Sequence, residues 1–236
     1  NLGPAVVSNS SVSISGQGRI NAIAKDPSNP NTIYIGAPAG GIWRSTDDGA
    51  NWTPLSDYLP QIGVSGIAVD PNNPEIIYIS TGDDDGGDSY SIGVMKTLDG
   101  GQTWNVTGLQ FNNVYKGSSE IFIDPTDSNT VWVATSQGLY KTIDGGDVWF
   151  NVLPGNIVDF RFQPGNSNTL FAVGYVSGSS KFFKTADGGV SFTEIDTIPD
   201  NADRIILEVT PANPNVVYVL TAASNYNFQG VYKSTD

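Results

Sequence analysis

A chain of 236 residues is long enough for one large β domain or two small ones, and its 24 acids against 11 bases (net charge −13) give a surface that repels nucleic acid and anionic lipid. There is no His and no Cys, which excludes a Ser-His-Asp triad, His-ligated zinc, disulfides, thiolate nucleophiles and iron–sulfur ligation within this stretch. Scattered Gly (27) and Pro (14) with 11% aromatics point to short strands and tight turns, and no apolar run approaches membrane-spanning length.

The chain opens at Asn1 with neither initiator Met nor signal peptide, so a processed or trimmed segment of a longer parent is expected. The first unit, residues 17–60, reads as four strands. Strand A runs roughly from Ile20 to Ala24 and stops at Asp26-Pro27, because Pro cannot donate to a ladder. Strand B covers Thr32 to Gly36, strand C covers Ile42 to Ser45, and strand D starts near Trp52. Between C and D lies Ser45-Thr-Asp-Asp-Gly-Ala-Asn-Trp52. Its aspartate can accept backbone N–H groups of its own turn, its Gly admits angles closed to other residues, and its Trp can pack back over the sheet.

The same punctuation recurs down the chain. The turn returns as TLDGGQTW from Thr97, TIDGGDVW from Thr142, TADGGVSF from Thr185 and a truncated Ser234-Thr235-Asp236. The aspartates Asp47, Asp99, Asp144, Asp187 and Asp236 are spaced by 52, 45, 43 and 49 residues. In phase with them run Asp26-Pro27, Asp70-Pro71, Asp124-Pro125, Gln163-Pro164 and Thr210-Pro211, mostly followed by an Asn-rich turn and an apolar strand. Units are therefore expected over 17–60, 61–112, 113–155, 156–198 and, incomplete, 199–236. Four-stranded repeats of about 40–50 residues are the mark of propeller blades, which cannot bury both faces alone. The fold expected is an all-β propeller with about five blades represented, part of a larger propeller because Asp236 falls inside a repeat. The strand B aromatics Tyr34, Tyr78, Trp132, Phe171 and Tyr218 are expected in the core, and the five repeated aspartates are expected to staple hairpins.

In such a blade the A–B and C–D turns share one end and the B–C and D–A loops the other. Gly82-Asp83-Asp84-Asp85-Gly86-Gly87-Asp88, in the second B–C loop, concentrates four carboxylates that repel one another without a cation. Asp83, Asp84, Asp85 and Asp88 are the candidate ligands for calcium, which takes oxygen donors, although the spacing is not that of an EF-hand. The alternative is a solvated acidic loop. Tyr90, Tyr175, Tyr226 and Phe228 lie in other long B–C loops, where aromatics stack on sugar rings, grip peptides or simply cover blade edges.

The pattern Ser/Thr-x-Asp-x-Gly-x-x-Trp with its upstream Asp-Pro resembles the Asp-box, or bacterial neuraminidase, repeat. That repeat is shared by sialidases, xyloglucan-active endoglucanases, plant-type photosystem assembly factors and the sortilin ectodomain. The opening GRINAIAKDPSNPNTIYIGAPAGGIWRSTDDG is similar to large secreted Bacteroidetes proteins that commonly carry a C-terminal type IX secretion signal. The resemblance implies a secreted or cell-surface bacterial protein with further domains on the same parent chain and no membrane insertion. Sialidase-like proteins place an arginine at the start of the first blade, which makes Arg19 a candidate ligand contact. The acid that should accompany it is absent from the first B–C hairpin, Gly36-Ala-Pro-Ala-Gly-Gly41, where the xyloglucan-active enzymes carry an aspartate before Gly-Gly. Both departures argue against inherited catalysis. The resemblance thus implies a non-catalytic module recognising a glycan or protein ligand on the B–C and D–A loop face. A glycoside hydrolase, which needs paired carboxylates or an arginine cluster with a tyrosine, is the alternative, and an adhesin-like scaffold is another. A sortilin-like reading would put a peptide in the propeller tunnel.

Overall fold

The computed structural model describes residues 19–236 apart from 61, 85, 86, 88, 116, 196, 197, 200, 226 and 236, and the side chains of 113 and 115 are likewise not described. It separates into two compact units, residues 1–117 and 118–236. The first unit holds two antiparallel sheets. One is β1 (Ala22–Lys25), β2 (Ile33–Ala37), β3 (Gly41–Ser45) and β4 (Thr53–Pro54), in that spatial order; the other is β5 (Val64–Val69), β6 (Ile77–Thr81), β7 (Tyr90–Thr97) and β8 (Asn105–Tyr115). The second unit holds β9 (Ser118–Asp124) to β12 (Phe150–Pro154), with β10 (Asp127–Thr135) and β11 (Gly138–Thr142) between them. Next come β13 (Asn156–Gln163), β14 (Asn166–Val176), β15 (Ser179–Thr185) and β16 (Thr193–Ile195). The last sheet has three strands, β17 (Arg204–Thr210), β18 (Asn213–Ala222) and β19 (Phe228–Ser234). Every connection is the up-and-down meander expected of short strands punctuated by turns.

The first A–B turns owe their shape to the aspartate before proline. Asp26 Oδ1 accepts the backbone N–H of Ser28 at 2.8 Å and its hydroxyl at 2.7 Å, and Asp124 Oδ1 does the same for Thr126 at 2.9 and 2.7 Å. In the fourth copy Gln163 replaces that aspartate, and the turn closes as a tight hairpin with Gln163 paired to Asn166.

Each unit is held by apolar residues where consecutive sheets face one another. In the first unit Tyr34, Ile42 and Leu55 of one sheet meet Ile77, Ile79, Met95 and Trp104 of the next. In the second unit Trp132, Leu139 and Leu153 meet Leu170, Ala172 and Phe183, with Phe192 packed against them. Further along the second unit, Phe171, Phe182 and Ile198 meet Val217 and Val219, with Ile195 and Tyr232 alongside. Full burial of each such aliphatic or aromatic side chain contributes about 1.5–3 kcal/mol. A lone sheet forfeits it, which is why the repeat is stable only beside a neighbour. Four of the five strand B aromatics are buried, as expected. Tyr218 differs: it is 39% exposed. Tyr34, Trp132 and Phe171 pack against the sheet that follows in their own unit, and among the described residues no sheet follows β19.

Candidate functional site

Arg19, just before β1, and Asn21 both reach the second B–C loop. The Arg19 guanidinium pairs with Asp83 Oδ2, and the Asn21 side-chain amide donates to Asp83 Oδ1 at 2.9 Å. Asp83 itself is 0% exposed, so its carboxylate is a buried anchor holding this loop to the segment that leads into β1. The loop is tied down again by the Ser89 hydroxyl, which donates to the Pro38 carbonyl at 2.6 Å, and by the Asp84 N–H, which donates to Ser65 Oγ at 3.3 Å. Of the four acids proposed for calcium, Asp83 has its carboxylate bonded by protein partners and Asp84 is held by its backbone N–H, while Asp85 and Asp88 lie outside the described residues. A cation at Asp83 would have to displace the Arg19 pairing, and among the described residues no three acids are grouped as a metal cage. Arg19 is accordingly an ion-pair partner first, and the loop it fixes lies against the hairpin that offers Pro38 and Ala39.

Of the aromatic candidates, Tyr90 is 58% and Phe228 70% exposed, and each is the first residue of the third strand of its sheet. Tyr175 at the end of β14 is half-buried, and its hydroxyl donates to the Asp203 carbonyl, so it ties the fourth sheet to the fifth. Tyr226 lies outside the described residues.

The repeated aspartates turn inward on their own hairpins. Thr97 Oγ1 donates to Asp99 Oδ1 at 2.7 Å and accepts the Gly101 N–H at 3.0 Å, while Asp99 accepts the Thr103 N–H at 2.8 Å and its hydroxyl at 2.6 Å. Asp47, Asp144 and Asp187 repeat this pattern with Ser45, Thr142 and Thr185. Asp236 is outside the described residues. Hydrogen bonds to the charged form hold the Asp99 carboxyl down to about 2, first through the Thr103 hydroxyl, and lower Asp47, Asp144 and Asp187 as well. A depressed folded-state value stabilises above the unfolded value of 3.8 and is lost as pH falls toward 2. Asp99→Asn is therefore expected to flatten the acid limb of a stability profile between pH 4 and pH 2. An unchanged limb in pH-dependent urea denaturation would contradict this role.

Two features escape a reading based on loops. The residue before each repeated Ser or Thr is a cation in all five copies: Arg44, Lys96, Lys141, Lys184 and Lys233. Each is directly cross-strand from its strand B aromatic, and the four lysines lie 4.8–5.8 Å from the ring centres. Arg44 reaches on to the Gly100 carbonyl of the next turn at 3.2 Å, and Lys141 to that of Gly188 at 2.8 Å. This cation was legible in the repeat alignment. The second feature was not. On the inner edge strands of the second unit, Asp159 of β13 is 3% exposed and accepts the Leu207 N–H of β17 at 2.8 Å. Arg161 pairs with the same carboxylate and extends to Glu120 of β9 at 3.6 Å and to Glu208 of β17 at 3.7 Å. Burial pushes Asp159 up to about 7 despite Arg161, and desolvation raises Glu120 too.

No family profile matches the sequence. Among curated proteins, a xyloglucanase of Acetivibrio thermocellus (Xgh74A) is 26% identical over 84% of this chain and 29% of its own length. An oligoxyloglucan-reducing end-specific xyloglucanase of Emericella nidulans is 28% identical over 85% of this chain and 26% of its own. The crystal structure of a GH74 xyloglucanase from Xanthomonas campestris superposes on 92% of the chain with a TM-score of 0.72 at 17% identity, covering 36% of that structure. The fold is that of β-propeller blades. The chain spans less than a third of the curated relatives it matches. The hairpin 36–41, Gly-Ala-Pro-Ala-Gly-Gly, has no carboxylate.

Proposed function

We propose that this chain is a polysaccharide-engaging portion of a xyloglucanase-like propeller, taking β-glucan chains at the B–C loop ends of its blades, in a bacterial protein exposed to the medium. The observation that carries the reading is the pair of exposed rings, Tyr90 and Phe228, opening the third strands of their sheets in a chain whose curated relatives are xyloglucanases. Aromatic faces bury the apolar faces of sugar rings while nearby loop amides bond the hydroxyls. An extracellular place follows from the ligand, since a polymer of this size is met outside the cell. The hairpin at Pro38-Ala39 supplies no acid or nucleophile, and the nearby Asp83 is spent on Arg19 and Asn21. Binding is the contribution proposed for this segment. A second reading, hydrolysis by the whole protein, is favoured by the names of the relatives and draws its paired carboxylates from elsewhere on the parent chain.

The test combines affinity electrophoresis in xyloglucan with a reducing-end assay. Retardation without released sugar is expected, with Tyr90→Ala and Phe228→Ala each weakening retention by about 3–10-fold. Free migration in xyloglucan and in unsubstituted β-glucan would overturn the proposal. Sugar release by the 236-residue chain itself would replace it with the hydrolase reading.

A further inference from the structure

The B–C end of the first unit is knit together around one glycine. Gly63, just before β5, lies so near two other connections that a Cβ there would stand 1.9 Å from Ser89 Oγ, 2.3 Å from the Pro38 carbonyl oxygen and 2.6 Å from that of Gly82. Only a residue without a side chain lets the hairpin 36–41, the segment entering β5 and the loop after β6 meet at that point. Backbone bonds lock the meeting: the Gly41 N–H donates to the Ile62 carbonyl at 3.2 Å, and the Gly82 N–H to that of Gly63 at 3.0 Å. The Ser89 hydroxyl spans the junction to Pro38, and the Asp83 N–H closes the base of the loop on the Ser89 carbonyl at 3.2 Å. Asp83 is also the residue whose carboxylate Arg19 and Asn21 hold. Tyr90, an exposed ring, follows Ser89 directly.

We propose that Ser89 and Asn21 are positioning residues for Tyr90. Ser89 fixes the end of the loop beside the ring, and Asn21, together with Arg19, fixes its beginning through Asp83. The identity of the ligand rests on the glycan reading above, whereas the mounting of the ring is a property of the chain alone. The ring is 58% exposed, so its aim is set by the backbone that carries it rather than by a packed core. The ties also reach another sheet, which closing β6 onto β7 does not require. The third sheet shows the plainer solution. Its turn at Ser136-Gln137 is closed by Thr135, whose hydroxyl donates to the Gly138 carbonyl at 2.8 Å and accepts the Gln137 N–H at 3.1 Å, and neither turn residue is aromatic. A loop already ordered presents its ring to a sugar without the loss of affinity that ordering on binding would bring.

Arg19→Ala would strand the buried Asp83 carboxylate and threaten the fold, so the variants are Ser89→Ala and Asn21→Ala. The first readout needs no ligand: fluorine NMR of the 236-residue chain carrying 3-fluorotyrosine, with the Tyr90 signal assigned by its loss in Tyr90→Phe. Each variant is expected to shift or broaden the Tyr90 signal at an unchanged melting temperature, leaving the other tyrosines in place. The second readout is affinity electrophoresis in xyloglucan. Ser89→Ala should weaken retention about threefold in the parent chain and leave it unchanged when Tyr90 is already alanine, because the hydroxyl acts through the ring. A Tyr90 signal unmoved in both variants would overturn the proposal whatever the sugar does. Equal weakening by Ser89→Ala with and without the ring would make Ser89 a ligand contact in its own right and overturn it too. A moved signal in a chain that xyloglucan never retards would uphold the positioning and overturn the glycan as its purpose.

Discussion

Replacing Arg161 with alanine is expected to destabilise the second unit by about 3–5 kcal/mol at pH 8. The reason is the company it leaves behind. Asp159 is buried on β13, with one oxygen committed to the Leu207 N–H and the other to Arg161, and Glu120 and Glu208 approach the same guanidinium from the neighbouring edge strands. Without Arg161, three carboxyl groups share a region with no counter-charge, and the buried one must either protonate or open the clasp. The ring of Phe122, 5.3 Å from the guanidinium, also loses its cover. Combining Arg161→Ala with Asp159→Asn should recover more than half of the loss, because the amide oxygen still accepts the Leu207 N–H and no charge is stranded. Urea unfolding of the two variants decides the matter. A loss below about 1 kcal/mol in the single variant would mean that water reaches Asp159 and the clasp is ornamental.

The same carboxyl gives the chain an unusual dependence on pH. Asp159 binds its proton more tightly folded than unfolded, about 7 against 3.8. Stability is therefore greatest below the unfolded value and falls as pH rises from about 4 to 7, by up to roughly 4 kcal/mol for a shift of about three units. Glu120, also raised by desolvation, adds in the same direction. The turn aspartates act oppositely and only below pH 4. From these groups the optimum falls near pH 4–5, and Asp159→Asn should flatten the descent between pH 5 and 7 while sparing the acid limb.

What could be read from the sequence, and what could not, divides along the same line. Features written locally in every repeat were legible: the Asp-Pro turn, the apolar strand after it, and the aspartate that bonds its own hairpin, since each needs only residues close in the chain. The cation before every Ser or Thr was equally local. Arg19 stands out only by its likeness to the sialidase pattern, whereas its partner, Asp83, lies 64 residues away within the acidic loop that reads as a cation site. The Asp159 clasp joins Arg161 to Glu120 and Glu208, 41 and 47 positions away, and Asp159 to Leu207, 48 positions away, through side chains that the first strands of the first unit do not repeat, so periodicity carried no trace of it. Tyr218 shows the converse. Its place in the repeat is regular, but burial depends on a neighbouring sheet, and that is decided by assembly rather than by the strand.

That dependence on neighbours makes the second large effect predictable. Trp104→Ala should cost the first unit about 3–5 kcal/mol, the range for truncating a buried tryptophan that leaves a cavity. Trp104 is 7% exposed, sits in the turn of one sheet and is enclosed by Tyr34, Ile42 and Leu55 of the other, with its indole N–H on the Leu55 carbonyl. Both sheets use it as shared core, so its loss leaves a void and an unpaired carbonyl at the seam. Phe192 holds the corresponding place in the second unit but is only partly buried and makes no such hydrogen bond, so Phe192→Ala should cost clearly less. Hydrogen exchange gives the sharper readout. In the Trp104→Ala chain, protection should fall across β2, β3, β6 and β7 together, because the seam is a property of the pair. Loss confined to the turn at residues 97–104 would instead show that each sheet keeps its own stability and that the ring merely covers it.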